Sequence, residues 1–282
     1  MAAASSSSHA GWKKRCASIS GGGVGVARVG ASGRVLRVSK PTSNHTPRPV
    51  SSKTTYALAG LAVVVVAVIV AAVYLWNRGG GDKVRNDGYG PVHDRGVSVA
   101  LDSDGAIVLG KPNAKTIDIY EDPLCPACGQ LEKIYGQEIA QQVDLGKIAV
   151  RYRLVNFLDP QSRSKDYSTR AVAANECVAQ AGDGPVYSKY HSLLFTTEQP
   201  SEGGPDHDNK ELAAIAKEAG ADDDVAKCIT SGDRADTGRA HAEAALKALN
   251  DALNNRAATP SVFIDGKKVD VNNENWVLDA AK

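Results

Sequence analysis

Two cysteines separated by two residues have the spacing of a dithiol redox site. Cys125-Pro126-Ala127-Cys128 follows a β-rich apolar run over 116–120 and precedes an amphipathic run with helical spacing. At the start of a helix the backbone N–H groups are unpaired and the dipole end is positive, which stabilises a thiolate and lowers the thiol pKa. Two intervening residues let the second thiol close a disulfide on the same turn. The pattern predicts thiol–disulfide chemistry at the two cysteines, with Pro126-Ala127 as the active-site dipeptide.

Strand and helix patterns alternate on both sides of this pair. Asp102-Ser103-Asp104-Gly105 separates two short apolar runs, which is a hairpin signal. Asn273 is the expected N-cap of a short last helix. The expected elements, in chain order, are a hairpin over 97–109, a strand over 116–120, a helix over 126–143, a strand over 147–157, a mostly helical block over 164–256, a strand–turn–strand unit over 260–269 and a helix over 274–281.

Charge is distributed unevenly along the 282 residues. Residues 1–55 contain nine Lys and Arg side chains and no Asp or Glu, and they are rich in Ser, Gly and Ala, which predicts a disordered basic tail. The whole chain has a formal net charge of +1, so residues 56–282 carry 24 basic and 32 acidic side chains, a net of −8. The acidic body argues against a nucleic-acid partner, although nucleic-acid binding by the tail stays an alternative to a topology signal.

A long uncharged segment follows the tail. Residues 56–76 are 21 consecutive residues without charge, about 31 Å as a helix, which matches a hydrocarbon core of roughly 30 Å. Tyr56, Tyr74 and Trp76 lie at its ends, where interfacial aromatics are expected. This predicts one transmembrane helix that also serves as a signal-anchor. The basic tail before it predicts a cytoplasmic N-terminus and an extracytoplasmic C-terminal body at the cell membrane.

The composition predicts four segments in all. After the tail (1–55) and the transmembrane helix (56–76), the Gly-rich and polar residues 77–95 are expected to form a flexible linker. Residues 96–282 are expected to form one folded α/β domain, with the helical block inserted over about 164–256.

The order of these elements resembles the thioredoxin fold. Cys-x-x-Cys follows the first strand of a βαβ unit, and Thr259-Pro260 opens the late hairpin. The helical block between the two halves makes the chain resemble the DsbA-like branch. The strings Tyr-Glu-Asp-Pro-Leu-Cys-Pro-Ala-Cys-Gly (120–129) and Ala-Thr-Pro-Ser-Val-Phe-Ile-Asp-Gly (258–266) are similar to membrane-anchored DsbA-like proteins of actinobacteria. The resemblance covers roughly residues 97–282.

The resemblance implies a role for each of four residues. Cys125 would be the nucleophilic cysteine and Cys128 the less exposed resolving cysteine. Thr259-Pro260 would form a cis peptide bond beside the disulfide and bind substrate. Many members of this family also place a buried acid six residues before the first cysteine, but Ile119 stands at that position here. Asp118, Glu121 and Asp122 flank Ile119, and strand alternation points Asp118 and Ile119 to opposite faces. Which of these acids, if any, accepts the proton is left open by the sequence.

Two further cysteines fall in the helical block. Cys177 and Cys228 would close a loop of about 50 residues as a disulfide, and an extracytoplasmic compartment favours one bridge over two free thiols. The expectation is a structural disulfide, with two buried thiols or a second redox pair as alternatives. Cys16 lies in the predicted cytoplasmic tail, and no role is assigned to it.

The sequence indicates no other catalytic class. The six histidines are scattered, no His and acid pair has metal-ligand spacing, and no Gly-x-Ser-x-Gly motif is present. A zinc site on Cys125 and Cys128 would need two distant ligands. We therefore expect neither a metal site nor a cofactor.

The expected activity is protein thiol–disulfide oxidoreduction. The most consistent function is disulfide donation to reduced secreted or cell-wall proteins, with an unidentified membrane protein as reoxidant. The alternatives are a disulfide isomerase or reductase, because Pro126-Ala127 leaves the redox potential undetermined, and a non-catalytic thioredoxin-fold binding module.

Overall fold

A computed structural model describes residues 83–282. The predicted tail (1–55) and transmembrane helix (56–76) lie outside these residues, as does the first part of the predicted linker. Between residues 83 and 282, no helix is both long and apolar enough to span a bilayer. The transmembrane helix therefore stays a prediction from the sequence.

Six strands of the described residues form one mixed sheet. The strands are β1 Ser98–Leu101, β2 Ile107–Gly110, β3 Lys115–Glu121, β4 Ile148–Leu154, β5 Ser261–Ile264 and β6 Lys267–Lys268. Their spatial order is β1-β2-β4-β3-β5-β6. β3 and β4 are parallel and every other neighbouring pair is antiparallel. A parallel pair needs a crossover connection, which the helix after β3 supplies.

The helices flank this sheet and include the block expected between its two halves. They are α1 Pro126–Asp144, α2 Tyr167–Gln180, α3 Gly184–Phe195, α4 Asn209–Ala219, α5 Asp223–Ser231, α6 Ala235–Ala252 and α7 Trp276–Ala280. Helices α2 to α6 fall within residues 164–256, where the sequence predicts helix. This is a thioredoxin-like α/β architecture with a helical insertion.

The central strands are buried because their side chains are apolar. Ile117 and Ile119 of β3 and Val150 of β4 are 0% exposed, and Ile117 lies opposite Val150 in the register. β3 ends at Glu121, and the chain turns there into α1. The cysteine pair is thereby held at the carboxyl edge of the two central strands, on a rigid part of the fold.

Local capping signals define the ends of helices in the insertion. Asp208 and Glu211 form a capping box at the start of α4, and the Asp222 side chain accepts a hydrogen bond at the start of α5. Gly220 and Gly232 follow these two helices with φ of 108° and 71°, a left-handed conformation that glycine adopts without steric cost. The sequence therefore fixes where these short helices stop.

Residues 83–95 pack against α1, although the sequence predicts a flexible linker over 77–95. The Arg85 N–H donates to the Ile134 carbonyl (2.7 Å), and the Tyr89 hydroxyl donates to Asp144 Oδ2 (2.8 Å). Val92 is only 3% exposed and belongs to the main core. Tyr89 and Val92 supply apolar anchors within a polar segment. The packed domain consequently begins before the expected boundary at residue 96.

The last helix begins two residues later than its capping signal suggests. Asn275, not Asn273, is the N-cap of α7. Asn273 Oδ1 instead accepts a hydrogen bond from the Asn275 N–H (3.2 Å). Trp276, at the first position of α7, is 1% exposed and contacts the Tyr135 ring edge-on, with ring centroids 5.5 Å apart. Burial of this large side chain fixes where α7 starts.

Candidate active site

The cysteine pair lies at the turn between β3 and α1. Cys125 is the N-cap of α1 and Pro126 its first residue, where a proline costs no helical hydrogen bond. The Cys128 N–H donates to the Cys125 carbonyl (3.0 Å). Cys125 is 7% exposed and Cys128 is 0% exposed, and both are free thiols. Cys125 is therefore the thiol that a partner can reach, as the resemblance implied.

The structure brings Thr259-Pro260 to the cysteine pair. The Cys125 thiol donates to the Thr259 carbonyl at 3.5 Å, across 134 residues of sequence. The Thr259–Pro260 peptide bond is cis. β5 begins directly after this segment and pairs with β3, so the sheet itself holds the two parts of the site together. A segment bound beside Thr259 would lie next to the Cys125 sulfur.

The environment of Cys125 lowers its pKa from 9.0 to about 6. The hydrogen bond from the Cys128 thiol contributes most, burial opposes it, and the Thr259 side chain and the N–H groups of Cys128 and Ala127 add to the lowering. Burial raises the pKa of Cys128 well above 9.0, with a further contribution from the charge of Glu121. The lowered pKa favours the thiolate form of Cys125, and the raised pKa keeps the proton on Cys128.

The alkylation rate of Cys125 is expected to rise with pH through about 6 and then to level off. The thiolate is the nucleophile, so the rate follows its fraction. By linkage, the thiolate's contribution to the stability of the reduced protein is complete above about pH 9 and is lost as pH falls through about 6, because the folded pKa is the lower one. Iodoacetamide labelling with peptide mapping measures the midpoint.

Cys128→Ala is the informative control for this profile, since it removes the largest contribution to the lowered pKa. Its midpoint should move upward while the fold is retained. A wild-type midpoint near the ordinary thiol value of 9.0 would contradict the geometry described for Cys125.

A buried carboxylate fixes the loop before Cys125. Asp122 Oδ1 accepts hydrogen bonds from the Leu124 N–H (3.0 Å) and the Ser168 hydroxyl (2.6 Å), and Oδ2 accepts one from the Leu158 N–H (3.0 Å). Asp122 is 0% exposed, and burial raises its pKa to about 7. The loop is tied in this way to α2 and to the segment after β4.

An amide side chain holds the same loop from the other side. Gln199, in the segment after α3, donates from Nε2 to the Cys125 carbonyl (2.9 Å) and to the Pro123 carbonyl (3.3 Å). No sequence motif marks Gln199, because 74 residues separate it from Cys125. It orients the peptide that carries the nucleophile.

Comparison with known proteins gives the family. Residues 102–280 match the sequence profile of the family described as Thioredoxin. The chain belongs to this family. The MdbA protein, a thiol-disulfide oxidoreductase from Corynebacterium diphtheriae, is 36% identical with a TM-score of 0.58, and the match covers 67% of this chain and 95% of that one. Its counterpart from Corynebacterium matruchotii is 31% identical with a TM-score of 0.59, over 66% and 92% of the two chains.

These matches confirm the resemblance to DsbA-like thiol-disulfide oxidoreductases of actinobacteria, whereas membrane anchoring stays a prediction from the sequence. The chain is an oxidoreductase with a DsbA-like form of the thioredoxin fold. A third relative is a serine/threonine-protein kinase, PknE of Mycobacterium tuberculosis, 39% identical over 183 residues. That match covers 64% of this chain and 32% of the kinase. The chain thus spans about a third of the length of this curated relative.

In this thioredoxin-family domain Cys177 and Cys228 form a disulfide, with an S–S distance of 2.01 Å. Cys177 lies in α2 and Cys228 in α5, 51 residues apart. The bond is remote in sequence from Cys125 and Cys128, which remain separate thiols. It ties two helices of the insertion together.

Glu121 is a buried acid that the sequence did not single out. It follows Ile119 by two residues on the same strand, so both side chains point to the same face of β3. Glu121 is 0% exposed, and burial raises its pKa to about 7. Its charge contributes to the raised pKa of Cys128. The position that commonly holds the family's buried acid is occupied here by Ile119. Glu121, two residues further along the same face of β3, is the acid whose charge acts on the buried Cys128 thiol.

Glu121 also belongs to a buried group that could hold a metal ion. Its carboxylate lies near the carboxylate of Glu132 in α1 and the imidazole of His191 in α3. One possible ligand atom from each of the three residues lies within 4.8 Å of the other two. The sequence predicted no metal site, because the three residues lie on three separate elements and share no motif spacing. Only the fold reveals this cluster.

Proposed function

We propose that this protein is an extracytoplasmic disulfide donor that oxidises reduced secreted or cell-wall proteins through Cys125 and Cys128. The contrast between the two thiols carries the proposal: Cys125 is reachable and has a pKa of about 6, whereas Cys128 is buried and has a raised pKa. A stabilised thiolate favours the reduced enzyme, which makes the corresponding disulfide a good oxidant. The Corynebacterium relatives, named thiol-disulfide oxidoreductases, support the same chemistry.

The first step begins from the Cys125–Cys128 disulfide. A substrate thiolate attacks the more exposed Cys125 sulfur, a substrate–Cys125 bond forms, and Cys128 leaves as a thiolate. Because burial raises the pKa of Cys128, this thiolate takes up a proton after it leaves. Glu121, a buried acid whose charge contributes to the raised pKa of Cys128, is the proposed source of that proton.

The second step releases the oxidised substrate. A second substrate thiolate attacks the substrate sulfur of the mixed disulfide, and Cys125 leaves as a thiolate. The low pKa of Cys125 makes it a good leaving group. The substrate has then lost two electrons and the cysteine pair has gained them. We infer that a membrane-bound oxidant removes these electrons and restores the disulfide.

The Thr259-Pro260 segment is the proposed docking position for substrate. An extended chain recognised by main-chain hydrogen bonds binds with little dependence on sequence, which suits an enzyme that oxidises many clients. The Thr259 carbonyl lies 3.5 Å from Cys125 Sγ. A cysteine of a chain bound there would be placed in line with the reactive sulfur.

The reduction potential of the Cys125/Cys128 pair tests the direction of the reaction. Equilibration of the full chain against glutathione is expected to give a value near roughly −120 mV, as for a strong oxidant. A value near roughly −270 mV would instead make the protein a reductant or an isomerase partner. The same preparation should oxidise a reduced, unfolded protein; a Cys16→Ser variant is the control for the fifth cysteine of the chain.

The proposed location rests on the sequence before the domain. The uncharged run over 56–76 and the nine basic residues before it predict a single span with the body outside. Protease added to intact spheroplasts is expected to digest the domain and spare the tail. Protection of the domain until the membrane is permeabilised would contradict this topology.

A further inference from the structure

A buried cluster of three ionisable side chains lies beside the redox pair. His191 Nε2 is 3.3 Å from Glu121 Oε2 and 3.4 Å from Glu132 Oε1. The side chains of Glu121, Glu132 and His191 are 0%, 4% and 2% exposed. Three different elements, β3, α1 and α3, therefore direct one donor group each into the same small volume.

The polar atoms of this cluster lack hydrogen-bond partners within the described part of the chain. Both carboxylate oxygens of Glu121, Oε1 of Glu132 and both ring nitrogens of His191 are buried and unpaired by hydrogen-bond geometry. A buried polar atom without a partner costs free energy, about 1–3 kcal/mol for each neutral group and more for a charged one. Three of the five atoms, His191 Nε2, Glu121 Oε2 and Glu132 Oε1, face one another only at ion-pair distances of 3.3 and 3.4 Å, and Glu121 Oε1 and His191 Nδ1 have no polar contact of either kind. A cation bound among the three facing atoms would give each of them a closer partner.

Two of the three distances between donor atoms match the coordination of a small metal ion, and the two carboxylate oxygens lie within 4.8 Å of each other. In a tetrahedral zinc site with bonds of about 2.0–2.1 Å, neighbouring ligand atoms stand about 3.3–3.4 Å apart. His191 Nε2 stands at 3.3 and 3.4 Å from one oxygen of each carboxylate. One imidazole nitrogen and two carboxylate oxygens leave a fourth position, as in zinc sites that keep a bound water.

Charge also favours a divalent cation. Among residues 83–282, His191 is the only basic side chain within ion-pair distance of Glu121 or Glu132. Two carboxylates removed from water are costly unless a positive charge compensates them. One divalent cation bound to both carboxylates and to a neutral imidazole leaves the cluster without net charge.

The surroundings hold the donors in place. The His191 ring contacts the rings of Tyr152 and Phe195, with centroid separations of 4.1 and 4.5 Å. Gly136 follows Glu132 by one helical turn, and a Cβ at Gly136 would come within 2.7 Å of Glu132 Oε2. The absence of that Cβ leaves room for the carboxylate to turn inward.

A cavity lies beside the cluster. It has a volume of about 390 Å³, and Glu132, His191, Tyr152 and Ser192 are among the residues that line it. A cation and a water molecule could enter through this cavity without passing the cysteine pair. The cavity supplies the entry path that a metal site needs.

We propose that Glu121, Glu132 and His191 bind one divalent transition-metal cation, with Zn²⁺ the best fit to the nitrogen and carboxylate donors and a water from the cavity as fourth ligand. The charge of Glu121 contributes to the raised pKa of Cys128, and a bound cation would neutralise that charge. Binding of the cation is independent of whether the enzyme donates or removes disulfides.

The test uses the full chain, purified in detergent with Cys125 and Cys128 closed as a disulfide so that no thiolate of the pair can hold metal. After equilibrium dialysis against Zn²⁺, the wild-type protein is expected to retain one equivalent of Zn²⁺. The His191→Gln variant should not retain it. The affinity should fall by more than the roughly 10–100-fold that changes outside the ligand shell cost. Co²⁺ in place of Zn²⁺ should give ligand-field bands without a thiolate-to-cobalt charge-transfer band.

His241→Gln is the matched control. His241 also contacts a buried glutamate, Glu176 (2.8 Å), but Arg234 compensates that carboxylate (2.7 Å). This variant should bind Zn²⁺ as the wild type does. Glu132→Gln, which keeps the side-chain shape, should weaken binding as His191→Gln does and serves if the latter fails to fold. Equal binding by wild type and the folded cluster variant, or no binding by the oxidised wild type, would overturn the proposal.

Discussion

Replacing Cys125 with serine is expected to abolish oxidation of reduced, unfolded protein substrates. The serine hydroxyl cannot form a disulfide, and Cys128, at 0% exposure and with a raised pKa, is neither reachable nor ionised enough to replace it. The change should lower the rate to that of the uncatalysed reaction. The oxidation rate is measured as the regain of activity by a reduced protein whose native form requires disulfides. Thermal unfolding of the variant checks that it folds.

Cys128→Ser separates the two cysteine roles in an assay that starts from an oxidised substrate, because this variant cannot carry the Cys125–Cys128 disulfide. The Cys125 thiolate attacks a substrate disulfide, one substrate sulfur leaves as a thiolate, and the substrate–Cys125 mixed disulfide should accumulate because Cys128 is no longer present to displace Cys125 from it. Non-reducing electrophoresis would show the mixed disulfide as an adduct of higher mass that a reductant cleaves. Full activity of Cys125→Ser would contradict the catalytic role and favour the alternative of a non-catalytic binding module.

The parts of this site that the sequence predicts share a local signal. Cys-x-x-Cys stands between a strand pattern and a helix pattern, so its place at an N-terminal turn follows from neighbouring residues alone. The parallel β3–β4 pair and the helical insertion follow from the order of the elements. Thr259 and Pro260 came from the family resemblance, since 134 residues separate Thr259 from Cys125.

The parts that the sequence missed depend on contacts between distant segments. His191 reaches the site from α3 and Gln199 from the segment after it. No sequence motif identifies either residue as part of the site. Glu121 was visible as an acid, but the predicted strand ended at residue 120. Only the observed extent of β3 to Glu121 places this acid on the same face as Ile119. The packing of residues 83–95 was missed for a related reason: two anchors, Tyr89 and Val92, stand within an otherwise linker-like composition.

Removing the Cys177–Cys228 disulfide is expected to lower the free energy of unfolding by about 4 kcal/mol. The bond closes a loop of 51 residues, and cross-linking such a loop removes about that much conformational entropy from the unfolded chain. Domains of ordinary stability unfold with about 5–15 kcal/mol, so the loss is a large share. For a domain of this size the melting temperature should fall by roughly 8–16 °C.

The comparison should be made as a double Cys177→Ala, Cys228→Ala change in a Cys125→Ala, Cys128→Ala background. A single substitution would leave a free thiol that could exchange with the redox pair, and the measured stability would then reflect a new disulfide. Denaturant unfolding of parent and variant gives the difference, and treatment of the parent with dithiothreitol should reproduce it. Equal unfolding midpoints would mean that the two helices hold their places without the bond, and that packing of α2 and α5 carries the stability assigned here to the disulfide.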